Sequence, residues 1–89
     1  MEVKQKHPNT RQAVRRVILE TIVDEGGLTT RSHLAEAIAN ENLSQYKAEI
    51  RLHHIHIPVL MDAGVIDYDD RTGDVVLVED VSSIDLAQL

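Results

Sequence analysis

The chain contains no cysteine, no phenylalanine and no tryptophan, and Tyr46 and Tyr68 are its only aromatic rings apart from histidine. Without cysteine, disulfide frameworks, thiolate zinc sites and thiol nucleophiles are excluded. Without Phe or Trp the core has to be aliphatic, and ten Val, nine Leu, eight Ile and seven Ala supply it. Long apolar runs are also missing: none exceeds four residues, as in Val75-Val76-Leu77-Val78. No segment is therefore expected to span a bilayer. Lys4 and Lys6 have no apolar stretch behind them, so a secretory signal is not expected either. In 89 residues there is room for one domain with a thin core, and a soluble cytoplasmic protein without a membrane partner is the expectation.

The formal charge is −6, and its placement matters more than its sum. Residues 1–16 carry Lys4, Lys6, Arg11, Arg15 and Arg16 against Glu2 alone. Residues 62–89 carry Arg71 against eight acids. A basic head and an acidic tail suggest an anionic partner for one end only.

Along the chain, His7-Pro8 closes a flexible basic arm over residues 1–8. Asn9 or Thr10 can cap a first helix, in which Val14, Ile18 and Ile22 recur at four-residue spacing and Arg11, Arg15 and Arg16 point away. Gly26-Gly27 ends it. Leu28-Thr29 suits a short strand, and Thr30 caps a second helix with Leu34, Ala35, Ile38 and Ala39 inward. Ser44 caps a third helix reaching about Ala63-Gly64. Strands over Val65–Tyr68 and Val75–Val78 follow, joined by the turn residues Asp69-Asp70-Arg71-Thr72-Gly73-Asp74. The tail over 80–89 suits a weak helical turn or a docking or dimer-forming segment. The fold class this order predicts is α+β, mainly α: a winged helix-turn-helix over residues 9–79, with three helices and a two- or three-stranded wing.

The wording of the third helix and the hairpin carries a resemblance. Leu52-His53-His54-Ile55-His56-Ile57-Pro58, then Leu60, Asp62-Ala63-Gly64-Val65-Ile66-Asp67-Tyr68-Asp69 and Arg71-Thr72-Gly73 resemble small winged-helix domains of unknown function abundant in haloarchaea. The likeness covers about residues 10–78 and implies a winged helix with a DNA-linked role. It supplies no ligand or operator. An acidic surface with three lysines in the whole chain fits molar intracellular salt. At about 1 M salt the Debye length is roughly 3 Å, so distant acids barely oppose approach to phosphate. The same salt weakens phosphate contacts, leaving base-edge, apolar and shape contacts to carry binding.

Helix three holds the expected DNA residues. At about 100° per residue, Ala48, Leu52, Ile55, Val59 and Ala63 share one face, and Ile50, Ile57, Leu60 and Met61 lie opposite. Two apolar faces imply a second covering partner: helix one, the tail, or another subunit. Winged-helix proteins are often dimers, so a homodimer is expected. Between the faces run Lys47, Arg51, His54, Pro58 and Asp62, whose basic N-terminal half is the part a recognition helix inserts into the major groove. Arg51 suits a guanine edge or a phosphate, and Lys47 a phosphate. The resemblance to the general winged-helix pattern implies an inward, hydrogen-bonded structural role for His53, and Pro58 is expected to kink the helix. Arg11, Arg15 and Arg16 are expected phosphate contacts. Arg71, alone among Asp69, Asp70 and Asp74, is the one wing residue suited to a groove.

Other chemistry is set aside. The histidines lack the i,i+4 pairing of helical metal sites, although His53 and His56 would suit a shared site across a dimer. Arg71 stands where a calcium loop needs an oxygen ligand. No nucleophile–base pair and no glycine-rich phosphate loop occur, so no enzyme, metal or cofactor is expected. The expected function is sequence-specific double-stranded DNA binding by a non-catalytic transcriptional regulator. The alternative is a winged-helix protein-interaction or dimerisation module without DNA contact.

Overall fold

The computed structural model describes residues 11–80. The arm, the Asn9 or Thr10 cap and the tail beyond Asp80 lie outside the described residues. The described elements are α1 (Arg11–Asp24), β1 (Leu28–Thr30), α2 (Arg31–Ile38), α3 (Gln45–Arg51), a π turn (Leu52–His56), α4 (Ile57–Asp62), β2 (Ile66–Asp69) and β3 (Asp74–Leu77). Helix three is the continuous run of α3, π turn and α4. With a three-stranded antiparallel sheet the class is α+β, and the order is compatible with a winged-helix layout.

The helix ends follow from side-chain and backbone chemistry. Thr30 accepts from the His33 N–H at 3.1 Å, and Ser44 accepts from the Lys47 N–H at 3.2 Å; each satisfies a donor the first turn leaves open. Replacing Ser44 by Ala is expected to lower the unfolding free energy by about 1 kcal/mol, read from urea titration. At the other end of helix three the Val65 N–H donates to Leu60 and the Gly64 N–H to Met61, with Gly64 at φ 76°. That paired pattern needs the left-handed conformation glycine adopts freely.

The sheet order is β1-β3-β2. Thr29 pairs with Val75 and Val75 with Tyr68, putting all three on the face turned to the helices. On the opposite face Leu28 pairs with exposed Val76. The core is aliphatic as composition required: Ile18 and Ile22 of α1, Leu34 and Ile38 of α2, Leu52 and Leu60 of helix three, and Val75 are buried together. Each such side chain contributes about 1.5–3 kcal/mol through burial. Ala39, expected inward, is the half-buried C-cap of α2 instead.

The π turn changes helix three. Leu52 accepts from the Ile57 N–H, five residues on rather than four. Pro58 follows at the first turn of α4, where its missing N–H is tolerated. In an uninterrupted α-helix its ring would collide with the carbonyl four residues earlier. The expected kink is thus absorbed by one extra residue in the turn before it.

That extra residue retards the helix by about 100°. Ile57 and Leu60, expected opposite Ala48 and Leu52, swing onto the same face and are buried with them, Ile57 at 2% exposure. Ile50 stays outside at 42%. The two fully apolar faces of a straight wheel are therefore corrected to one buried face and a narrower exposed stripe.

Candidate nucleic-acid interface

Helix three places Lys47, Arg51 and His54 on its solvent side, where all three are exposed. They precede or fall within the π turn, so their four- and three-residue spacing keeps them in one stripe. Pro58 and Asp62 do not continue it. The register change turns them about 100° away, toward Tyr46 and Ile50.

Arg11 and Arg16 of α1 are exposed as expected. Arg15 is not: it is 5% exposed and belongs to the interior, which corrects its assignment to the outward face. A helix face set by Val14, Ile18 and Ile22 is wide enough to take in the neighbouring stem of Arg15, because long cationic side chains pack their methylenes against apolar surface.

Next to it lies His56, also buried, at 3% exposure. His53, expected inward, is exposed instead, with Nδ1 3.8 Å from Asp70 of the wing and its ring edge-on to His54 at 4.9 Å. The interior histidine is thus His56, and the shared His53–His56 metal site is corrected, since one is buried and the other faces solvent. Among the described residues, no group of three or more His, Asp or Glu is placed to hold a metal ion.

Burial pushes His56 down to about 4, and the positive charges of Arg15, Arg11 and Arg51, in that order, push it the same way. Its Nδ1 has no hydrogen-bond partner among the described residues. Arginines from α1 and from α3 thus lie near enough to one buried imidazole for their charges to act on it. Pattern reading missed His56, and no periodicity signal marks it, because its inward position depends on the π turn.

The wing has the opposite character. Arg71 extends at 90% exposure from a tip where Asp69 Oδ1 accepts its backbone N–H at 3.0 Å and lies 3.8 Å from its guanidinium. Asp67 and Asp70 are exposed on the same hairpin, with Asp69 and Asp74 half-buried. Arg31 braces hairpin and helix together: it donates to the Tyr68 hydroxyl and lies 3.4 Å from Glu49. Sequence reading had given neither Arg31 nor Tyr68 a role.

No helix of the described residues is long and apolar enough to cross a membrane. No curated protein and no solved structure matches the chain. One family model does match, over residues 10–76, and by that match the chain belongs to the family described as Domain of unknown function (DUF7344).

Proposed function

We propose that this domain is a cytoplasmic, non-catalytic transcriptional regulator that binds double-stranded DNA sequence-specifically through α1 and the N-terminal half of helix three. The observation that carries the reading is the exposure of Lys47, Arg51 and His54 as one stripe of helix three, with Arg11 and Arg16 exposed on α1. Exposed Lys47 lies one turn before Arg51 and exposed Arg16 extends the α1 side. Anionic phosphate is the natural complement of such a surface. Arg51 would take a guanine edge or a phosphate, and His54 would follow it into the groove. Arg15 acts from behind, by its charge and by holding the α1 side. The acidic wing would stay off the phosphates, with Arg71 its one suitable contact.

The test is selection of duplexes from a genomic fragment pool at about 0.2 M and about 1 M potassium salt. A recurring sequence is expected, and Arg51→Ala is expected to weaken its binding by about 1–3 kcal/mol, up to roughly a hundredfold. Folded protein that selects nothing at either salt would overturn the reading.

A second reading, a protein-interaction module, is favoured by a separate observation. Tyr46, Ile50 and Met61 are exposed beside the basic stripe, at 76%, 42% and 42%. Proteins seldom leave a line of large apolar side chains uncovered.

A further inference from the structure

The stripe of exposed apolar residues on helix three has an internal order. Tyr46 and Ile50 precede the π turn; Pro58 and Met61 follow it. The register change brings these four onto one side, with His53 between them. Two shallow hollows flank the stripe. One is lined by Arg31, Tyr46, Glu49, Ile50, His53 and His54. The other is lined by His53, Ile57, Pro58, Met61, Tyr68 and the carboxylates Asp62 and Asp70. His53 belongs to both. The stripe runs roughly 20 Å, at 1.5 Å per residue.

Its charges are distributed end to end. Lys47 stands beside the Tyr46 end, and Asp62 and Asp70 stand beside the Met61 end. The sequence positions are nearly symmetric about residue 54: Ile50 and Pro58 lie four residues either side of it, and Tyr46 and Met61, like Lys47 and Asp62, lie seven or eight away. A surface of this kind is complementary to itself when turned end for end.

We propose that the stripe is the interface of a homodimer, in which helix three of one copy packs antiparallel on helix three of a second copy. Tyr46 packs on Met61 of the second copy, Ile50 on its Pro58, and Lys47 faces its Asp62. A two-fold axis passes near His54. Isologous contact of this sort closes after two copies, as soluble dimers do. The axis lies perpendicular to both helices, so a stripe about 90° around from the contact faces the same way in both copies. Lys47, Arg51 and His54 form such a stripe. The dimer therefore presents both basic flanks on one side, the arrangement a two-half-site DNA contact requires. The Lys47–Asp62 pairing also neutralises a carboxylate at the rim of that side. The interface stands without DNA binding and is tested without DNA.

Sedimentation velocity over about 1–300 µM, in about 0.2 M potassium salt, where surface charges are less screened, is the measurement. Wild type is expected as a monomer–dimer equilibrium. Ile50→Asp is expected to raise the dimer Kd at least about a hundredfold while the circular dichroism spectrum and melting temperature stay near wild type, because the residue contributes little to the monomer's core. Lys47→Glu and Asp62→Lys are each expected to weaken the dimer about tenfold, and the double variant to recover most of the loss. Three results overturn the proposal. One is a monomer throughout the range. The second is a dimer that Ile50→Asp leaves intact. The third is a monomer whose tyrosine fluorescence responds to Leu86→Asp, which would assign the stripe to the chain's own tail.

Discussion

Ile57→Ala is expected to lower the unfolding free energy by about 2–4 kcal/mol, whereas Ile50→Ala is expected to lower it by less than about 1 kcal/mol. The two isoleucines are seven residues apart, two turns of an uninterrupted α-helix, and on such a helix they would share an environment. In the fold they do not: Ile57 is 2% exposed and Ile50 42%. Truncating Ile57 removes three methyl(ene) groups from contact with the aliphatic core and leaves a cavity that rigid neighbours fill only in part. Truncating Ile50 removes surface that water already reaches. Urea unfolding of the two variants, with the slope m checked for constancy, measures the difference directly. Equal losses would mean that the turn at Leu52–His56 does not advance the register.

Acidification is expected to be the second large effect. Folded His56 titrates near 4 because burial opposes its charge and Arg15, Arg11 and Arg51 repel it. Unfolded, it titrates near its ordinary 6.5, so the unfolded chain takes up the proton first. Stability is therefore fully present above about pH 6.5, falls as the pH drops from there toward about 4, and levels off below. The loss through this one group is of the order of 3 kcal/mol. A difference measurement isolates the histidine from every other effect of acid. Urea stability of wild type and His56→Leu at intervals from pH 4 to 7.5 should show a pH-dependent gap, with the leucine variant gaining on wild type as the pH falls. At pH 7.5 the leucine variant should be no less stable, since Nδ1 of His56 is buried without a hydrogen-bond partner among the described residues and an apolar replacement removes that penalty. Parallel curves would show that His56 does not titrate in this window.

Local chemistry was legible where a residue's own backbone preferences decide the outcome. Thr30 and Ser44 cap because a hydroxyl at that position satisfies an open N–H, whatever the tertiary context. Gly26 and Gly64 end helices because they alone tolerate the left-handed turn. The element order and the aliphatic core follow from the same level of reasoning. Helix three was legible only to its middle. Its apolar residues obey one period up to Leu52 and another beyond Ile57, and a single 3.6-residue wheel merges them into two false faces. Pro58 is the visible sign, but whether a proline kinks, ends or widens a helix depends on which residues the core must bury after it. Here Ile57 and Leu60 are brought inward.

The same reason hides His56 and Arg15. Polar side chains become interior through the geometry of their neighbours, and no spacing rule marks them in advance. The basic surface was half legible: Lys47, Arg51, His54, Arg11 and Arg16 are exposed where expected, but Arg15 lies behind them and the arm's Lys4 and Lys6 lie outside the described residues. The apolar stripe beside that surface was seen as a second face and is narrower, consisting of Tyr46, Ile50, Pro58 and Met61.

The assignment of DNA to the basic stripe of helix three, and not to the apolar stripe beside it, is most directly tested by recording amide shifts of 15N-labelled protein during titration with a selected duplex. The largest shifts are expected at Arg11–Arg16 and Lys47–His54, with Asp67–Asp74 of the wing little affected beyond Arg71. Shifts concentrated at the wing, or at Tyr46, Pro58 and Met61 without the arginines, would contradict the assignment of DNA to the basic flank.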